Sequence, residues 1–301
     1  MVMKAILFGG TGFIGQEICC YFLEKGMEVY AASRSSSKHV TFGTRITYQL
    51  HSLQELFENM RDDYLILNLA GESIHSGRWT EKRKHRILES RMQTTNAIVK
   101  AIAEVSNKPK LLMNASAIGY YGHSDEQTFQ ENDPPGEDFL ADVSTRWEQA
   151  SLPAQLHTRV VLLRLGVVLG KHGGALPRMV LPYRFGIGGR IGRGTQWVSW
   201  VHLHDVARIC HYCWQNDAIA GPVNVTAPHP VTMNEFGKSI AHVAKRLHWI
   251  PLPEIALRIG LGEMSEIILE GQRVLPKKLL DSGYEFLYPS LDIALKDLLH
   301  K

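Results

Sequence analysis

The chain has few of the features that would mark it as secreted, membrane-spanning or strongly charged. It contains four cysteines in 301 residues, carries a formal net charge of only +3, and has no long uninterrupted apolar run. So few cysteines fit a reducing compartment better than a disulfide-stapled secreted domain. The small net charge gives no reason to expect nucleic acid or a membrane surface as the main partner. We therefore expect a cytoplasmic protein without either partner, and a homodimer remains open.

The cysteines and histidines are not spaced as a metal site. Cys210 and Cys213 form a single CxxC in an apolar-periodic helical segment, and no second pair completes a zinc site. His202 and His204 alone are a weak metal signal and are more typical of a strand-to-helix junction. We expect no metal.

Strand-like and helix-like segments alternate through the first half of the chain. Short apolar runs lie at residues 4–8, 28–32, 65–69, 111–115 and 160–165, with helical periodicity between several of them. This alternation predicts an α/β fold of Rossmann type, a doubly wound parallel sheet with helices on both faces.

The character of the chain changes after Gly166, where glycines and then prolines become frequent. We expect a nucleotide-binding domain over residues 1–165, with residues 203–226 returning to it. Residues 166–301 are then a smaller, mostly helical C-terminal domain on the substrate side.

A glycine-rich turn follows the first apolar run. Residues 9–15 read Gly-Gly-Thr-Gly-Phe-Ile-Gly and satisfy the GxGxxG spacing. Glycines permit the tight turn and let the backbone approach a pyrophosphate, while the N-terminus of the following helix attracts phosphate. A plain turn is the alternative, but the strand before it and the helix after it favour a dinucleotide site. The residues expected to hold the cofactor here are Gly9, Thr11, Gly12, Phe13, Ile14 and Gly15.

The end of the second strand indicates which dinucleotide is bound. NAD-selective sites usually place Asp or Glu there, to accept hydrogen bonds from the ribose hydroxyls. This chain has Ser33 and Arg34 instead, without a carboxylate. A guanidinium can grip a 2′-phosphate in bidentate fashion, and a serine can donate to the same group. The sequence therefore predicts NADP(H), the alternative being that Arg34 is a solvated loop residue.

These residues and three further segments resemble the extended short-chain dehydrogenase/reductase superfamily. Residues 68–72 (Asn-Leu-Ala-Gly-Glu), 164–170 (Arg-Leu-Gly-Val-Val-Leu-Gly) and 269–276 (Leu-Glu-Gly-Gln-Arg-Val-Leu-Pro) are similar to its atypical epimerase-like branch. That branch belongs to the NAD(P)-dependent epimerase/dehydratase superfamily, some members of which carry a cell-division-inhibitor label. The resemblance covers essentially the whole chain.

The resemblance implies further cofactor contacts. Leu69, Ala70 and Gly71 would pass beside the adenosine ribose and the pyrophosphate, while Leu165 and Val167 would border the nicotinamide.

Arg91, on the long charged helix, would by the same resemblance reach back toward the phosphates. In the sequence it follows a basic cluster of Lys82, Arg83, Lys84 and Arg86, so a solvated helix face is the alternative. The cluster lacks interleaved aromatic residues, which disfavours a nucleic-acid patch.

The superfamily's reaction uses Ser, Tyr and Lys, and this chain departs from that pattern. The phenol exchanges a proton at the substrate oxygen, beside a lysine one helical turn away, while the cofactor moves a hydride. The positions expected to hold Tyr and Lys carry Leu140 and Ser144. Ser116 remains at a strand end to orient a substrate oxygen, and Tyr120 or Tyr121 is the substitute proton donor best placed in the sequence. Core or loop packing is the alternative for both tyrosines.

Four side chains are expected on the substrate side. Residues 185–194 contain five glycines with Arg190 and Arg193, which suggests a mobile loop suited to closing over an anionic or planar small molecule. Trp197 follows that loop, and Glu72 follows the third strand. Nucleotide-sugars are the common substrates of the superfamily. A flexible loop without ligand, and a capping or surface role for Glu72, are the alternatives.

The sequence thus favours an NADP(H)-dependent oxidoreductase or epimerase-like protein acting on a carbonyl compound or nucleotide-sugar. The rival hypothesis is a non-catalytic NADP(H)-binding sensor or scaffold, and the absent Tyr/Lys pair supports it.

Replacing Arg34 tests the choice of cofactor. Arg34→Ala removes a charged hydrogen bond worth roughly 1.5–3 kcal/mol, so NADPH affinity should fall about ten- to hundredfold. NADH carries no 2′-phosphate, and its affinity should hardly change. Calorimetric titration of both nucleotides measures this, and equal losses for the two would refute the assignment.

Overall fold

The computed structural model describes residues 3–33, 43–74 and 77–300. The strands are β1 (Lys4–Phe8), β2 (Glu28–Ser33), β3 (Thr44–Thr47), β4 (Tyr64–Asn68), β5 (Leu111–Ala117), β6 (Thr128–Phe129), β7 (Arg159–Leu165), β8 (Val167–Leu169), β9 (Trp197–Val198), β10 (Trp200–His202), β11 (Gly221–Val225), β12 (Val231–Thr232) and β13 (Arg273–Val274).

Helices flank these strands and dominate the second half of the chain. They are α1 (Phe13–Glu24), α2 (Leu53–Glu58), α3 (Glu81–Glu104), α4 (Phe139–Ser151), α5 (Leu176–Arg184), α6 (Leu203–Gln215), α7 (Met233–Ala244), α8 (Glu254–Leu261), α9 (Glu266–Leu269), α10 (Lys277–Asp281) and α11 (Leu291–Leu299). Within the ranges that the structure describes, none of the helices combines the length and the apolar character needed to cross a membrane.

The described residues form one central sheet of seven parallel strands, in the order β3-β2-β1-β4-β5-β7-β11. β1 pairs with both β2 and β4, so the chain builds the sheet outward from β1 in two directions. Open α/β sheets bind ligands at such a switch point, outside the carboxyl ends of the strands. The predicted doubly wound Rossmann sheet is confirmed.

The sheet is buried on both faces, which explains why its strands show continuous apolar runs rather than alternation. Ile18 of α1 and Ile209 of α6 belong to the apolar cluster on one face. Ile98 and Ile102 of α3 belong to the cluster on the other face. The helical periodicity of α1 and α3 therefore reflects their packing on opposite faces of one sheet.

Residues 203–226, expected to return to the first domain, supply α6 and β11. β11 pairs with β7 in parallel, with Val223 opposite Leu163. A separate apolar cluster holds the remaining second half together, with Val180 of α5, Phe236 of α7 and Leu295 of α11 among its buried members.

Residues 185–194, expected to be a mobile loop, are held by backbone hydrogen bonds. Gly188 O accepts from Trp249 N at 2.9 Å, and Arg190 O accepts from Leu252 N at 2.8 Å. Gly192 N donates to Leu252 O at 3.0 Å, which completes a short parallel bridge. The glycines allow a close approach to residues 249–252, so this segment is a packed connection and not a free flap.

A buried carboxylate fastens the C-terminal segment to α6. Asp205 is fully buried and accepts hydrogen bonds from the backbone N–H groups of Leu287 and Tyr288, at 3.0 and 2.9 Å. Its other contacts are with Arg208 at 3.1 Å and with the hydroxyl of Tyr284 at 3.5 Å. Because two backbone donors depend on it, Asp205 determines where the chain after α10 lies.

Removing this carboxylate should destabilise the fold. Asp205→Ala leaves two N–H groups and a guanidinium without their acceptor, which should cost about 3 kcal/mol. Asp217→Ala is the control, because Asp217 is exposed and its recorded ion pair is with Arg159 at the surface; such pairs contribute about 0–1 kcal/mol. Chemical denaturation measures both free energies of unfolding, and similar small losses would contradict the role given to Asp205.

Candidate functional site

Several of the predicted cofactor residues lie along the carboxyl edge of the central sheet. The backbone of Leu69 lies against the glycine turn, because its N–H donates to Phe8 O at 2.8 Å. A Cβ placed on Gly9 would lie 3.0 Å from the carbonyl carbon of Leu69, so residues 69–71 and the turn are in direct contact. Ser116 and Leu165 end neighbouring strands at the same edge.

The glycine turn is shaped by close backbone contacts. Gly9 has a φ of +84°, and Gly12 N donates to Gly9 O at 2.9 Å. A Cβ on Gly15 would lie 2.3 Å from Gly9 O, so α1 packs directly on the turn. Gly12 is exposed, and as the N-cap residue it has no side chain that could cap the N–H groups that begin α1. The free N-terminus and its partial positive charge fit a phosphate group.

The other residues of the turn have separate positions. Thr11 is partly exposed beside the turn, and Ile14 packs against the apolar cluster under α1. Phe13 lies against the glycines that follow β8, where a Cβ on Gly173 would come within 2.4 Å of the ring. Phe13 therefore connects the turn to the second half of the chain.

Arg91 brings a partly buried positive charge to this edge. Its guanidinium donates to the carbonyl oxygens of Glu72 and Ile87, at 3.0 and 2.9 Å, and lies 4.9 Å from the centre of the Trp147 ring. A Cβ placed on Gly71 would lie 3.0 Å from the guanidinium carbon of Arg91, so the two residues are in direct contact. Burial lowers the pKa of Arg91 to about 10, which leaves it protonated at neutral pH, and Glu72 opposes that shift.

In the described part of the chain no carboxylate forms an ion pair with Arg91. The nearby carboxylate of Glu72 instead pairs with Arg83 and with Arg86, the latter at 3.2 Å. Three guanidinium groups thus surround one carboxylate, and the edge carries a local positive excess. A partly buried cation whose hydrogen bonds go to carbonyl oxygens is suited to binding an anion.

The sequence assigns two residues to the 2′-phosphate. Ser33 is the last residue of β2, and Arg34 comes directly after it. Ser33 is buried at the carboxyl end of β2, opposite Thr47 of β3. Arg34 lies outside the described residues.

Ser116 is part of a buried network. Its hydroxyl donates to Glu148 at 2.7 Å, and Arg164 donates to both oxygens of that carboxylate, at 2.8 and 2.9 Å. All three side chains are buried. The expectation that Ser116 orients a substrate oxygen is not supported by this geometry, because the hydroxyl is already used inside the protein.

Tyr121 belongs to the same network. Its hydroxyl donates to Asn224 at 2.7 Å and accepts from Arg164 at 2.9 Å. Burial raises the pKa of Tyr121 to about 12, while Arg164 opposes the rise. Tyr121 is buried and its hydroxyl is committed to these bonds, so this geometry also gives no support to its predicted role as proton donor.

Tyr120 has a different environment. Its ring lies 3.5 Å from the guanidinium carbon of Arg164, and the residue is partly exposed. Within the described residues its hydroxyl forms no recorded hydrogen bond. Of the three catalytic candidates, Tyr120 alone retains an uncommitted hydroxyl.

The positions of the usual Tyr/Lys pair lie on α4 and carry neither group. Leu140 packs on the turn after β5, where a Cβ on Gly119 would lie 3.1 Å from its own Cβ. Ser144 is buried. Among the residues with described positions, no three His, Cys, Asp or Glu side chains come together as metal ligands.

Leu165 and Val167 are partly exposed on either side of Gly166. Gly166 N donates to Val225 O at 3.0 Å, and Val167 N donates to Ser199 O at 2.9 Å. The chain here leaves the central sheet for the second half of the protein.

The residues expected on the substrate side do not form one cluster. Arg193 pairs with Asp125 at 2.6 Å and with Glu270 at 3.6 Å, and the indole of Trp197 donates to Asp125 O at 3.0 Å. Arg190 is exposed. Arg193 and Trp197 therefore connect the second half of the chain to the loop after β5. A substrate that bound Arg193 would have to replace the ion pairs of its guanidinium.

The buried network has one indirect signal in the sequence. Arg164 interrupts an apolar strand, and a buried cation requires an acceptor. Its partner Glu148 lies on α4, and Glu131 adds a carbonyl acceptor at 3.0 Å. Neither spacing nor periodicity connects these positions, so only the fold identifies the partners.

Comparison with known proteins places this geometry in a family. Residues 5–226 match the model of the NAD dependent epimerase/dehydratase family, and residues 252–298 match a domain of unknown function, DUF1731. The chain is similar to epimerase family protein YfhF of Bacillus subtilis, with 44% identity over 99% of this chain and 98% of that protein.

Solved structures give the same result. The chain is similar to the crystal structure of human epimerase family protein SDR39U1 with NADPH, with 33% sequence identity and a TM-score of 0.89. The match covers 98% of this chain and 99% of that chain. UDP-glucose 4-epimerase of Thermus thermophilus in complex with NAD, at 19% identity and a TM-score of 0.77 over 98% of this chain and 97% of that one, shares the fold. With its Rossmann sheet, glycine turn and full-length relatives, the chain belongs to the NAD-dependent epimerase/dehydratase family.

Proposed function

We propose that this protein binds NADP(H) at the carboxyl edge of its sheet and uses it in an oxidoreductase or epimerase-like reaction. The observation that carries the proposal is Arg91, a partly buried cation next to Gly71 whose hydrogen bonds within the described residues go only to carbonyl oxygens. The pyrophosphate of a dinucleotide held at the N-terminus of α1 would supply the missing negative charge.

Two observations favour NADP(H) over NAD(H). The end of β2 carries Ser33 followed by Arg34 where a carboxylate would select for free ribose hydroxyls. The human relative SDR39U1 is described in complex with NADPH.

Replacing Arg91 tests the binding site independently of Arg34. Arg91→Met should weaken NADPH and NADH binding alike, by about ten- to hundredfold, because both share the pyrophosphate. Arg91→Lys keeps the charge and should lose less. Lys82→Met, an exposed position on the same helix, is the control and should bind as wild type. Fluorescence titration measures the affinities, and thermal melting shows which variants remain folded. A folded Arg91→Met variant with wild-type affinity for both nucleotides would contradict this role.

The substrate class that we propose is a carbonyl compound or a nucleotide-sugar. Bound NADP(H) would supply or accept the hydride in such a reaction. Of the three catalytic candidates, Tyr120 is the one whose hydroxyl makes no hydrogen bond within the described residues, and the guanidinium of Arg164 lies against its ring. We infer that Tyr120 exchanges the proton at the substrate oxygen.

A second function is favoured by a specific observation. Leu140 and Ser144 occupy the positions of the usual proton-transfer pair, and Ser116 is bonded to Glu148. A protein that binds NADP(H) tightly and turns nothing over, as a sensor or scaffold, is consistent with that arrangement.

Turnover experiments separate the two functions. We expect wild type to oxidise NADPH with a member of a panel of carbonyl compounds and nucleotide-sugars, and Tyr120→Phe to lower kcat by about 10²–10⁴-fold. Tyr121→Phe should leave the chemistry intact and lower the melting temperature, because its hydroxyl holds the buried network. If Tyr120→Phe is as active as wild type, the assignment of the proton donor is wrong. No turnover across the panel with tight NADPH binding would establish the sensor or scaffold function instead.

A further inference from the structure

Four large apolar side chains are exposed where the C-terminal ends of α5 and α7 meet. Phe185 is 73% exposed, Leu247 69%, Trp249 63% and Ile187 54%. We call these four residues the apolar patch. Such side chains are individually unremarkable at a surface, but a group containing Trp and Phe marks an interaction site.

Hydrogen bonds show that the patch is one surface. The indole N–H of Trp249 donates to Gly186 O at 2.9 Å, which holds the ring beside the end of α5. Tyr183, at the C-terminal end of α5, bonds through its hydroxyl to His248 at 2.9 Å. A shallow cavity of about 360 Å³ is lined by Gly186, Lys245, Arg246 and Leu247.

Basic residues surround the patch. Arg184 precedes Phe185, while Lys245 and Arg246 precede Leu247 and line the cavity. Residues 171–204 contain five Lys or Arg and residues 236–253 contain three, and neither segment contains an Asp or Glu. The only charged residues other than histidine in these two segments are therefore basic, although the whole chain has a net charge of only +3.

Lys245 is held in a costly conformation. Its φ is +52°, which makes it the non-glycine residue with a left-handed backbone among those described. Glycine or asparagine usually ends a helix in this conformation, because a side chain there is strained. A lysine retained at such a position, on the rim of the cavity, is consistent with a use for its charge.

Charge and hydrogen bonding together identify the occupant. A second copy of the chain would bring Arg184, Lys245 and Arg246 against their own equivalents without a carboxylate between them. The polar groups within the patch are satisfied internally: Ile187 N donates to Pro182 O, and Gly188 O accepts from Trp249 N. The patch offers apolar area and point charges with few directional bonds, unlike a specific protein interface.

We propose that this surface docks on a membrane bearing anionic headgroups. Trp and Phe beside Lys and Arg are the combination that binds at the level of the headgroups: the rings enter the interface and the cations meet lipid phosphates. Binding of this kind is peripheral and needs no spanning helix. It also differs from the site at the sheet edge, so it does not depend on the function proposed above.

Vesicle sedimentation with the full-length protein tests the proposal. We expect wild type to bind vesicles of phosphatidylcholine mixed with phosphatidylglycerol, to bind phosphatidylcholine alone much less, and to be released by high salt. Each Lys or Arg near an anionic surface contributes about fivefold in partitioning. The double variant Lys245→Glu with Arg246→Glu should therefore lose at least about twenty-fivefold, and Phe185→Ser with Trp249→Ser should lose a comparable factor.

Matched substitutions elsewhere control for charge and exposure. Leu156 is 85% exposed in the turn before β7, at the opposite edge of the sheet, and Lys100 is exposed on α3. Leu156→Ser and Lys100→Glu should bind vesicles as wild type does. The patch side chains are exposed, so the variants should keep wild-type melting temperatures.

Three results would overturn the proposal. The first is no binding of wild type to anionic vesicles at low salt. The second is an equal loss for patch and control variants. The third is a dimer on size-exclusion chromatography that Trp249→Ser dissociates while vesicle binding is unchanged, which would assign the patch to a second copy of the chain.

Discussion

The buried pair of Arg164 and Glu148 is the interaction on which the architecture around the site depends. It joins β7 to α4, and through its hydrogen-bond partners it also fixes Ser116 on β5, Tyr121 in the following turn and, through Tyr121, Asn224 on β11. Burying two charges gains little net stability, but leaving either one alone costs about 3–5 kcal/mol. Keeping the pair intact therefore requires the strands and the helix that supply its partners to stay in their observed positions.

The same interaction determines what the site can do. Ser116 and Tyr121, two of the three catalytic candidates, instead complete the hydrogen bonding of a buried ion pair. The open part of the edge is left to the glycine turn, Arg91 and Tyr120. Three arginines lie around Glu72, so this edge carries more positive charge than the overall charge of the chain suggests.

One segment connects this edge with the apolar patch. Residues 185–194 begin at the exposed ring of Phe185, follow the backbone of residues 249–252 and end near the ion pair of Arg193 with Asp125. The segment is hydrogen-bonded to residues 249–252 and ends at an ion pair with the loop after β5. It therefore links the patch physically to that loop. The glycines permit this close packing, whereas in the sequence they suggested mobility.

The sequence by itself determined the Rossmann fold class, the glycine turn and the family, because strand–helix alternation, turn residues and helix periodicity are local properties of the chain. It placed Leu69 and Ser116 at strand ends and Gly12 in the turn after the first strand, and parallel strands end at one edge. Tertiary structure alone decided which partners those residues have. Ser116 is sequestered by Glu148, thirty-two residues away, and Arg193 is neutralised by Asp125, sixty-eight residues away. Charges separated in sequence become neighbours only when the chain folds, so pairing and clustering, unlike periodicity, leave no local signal.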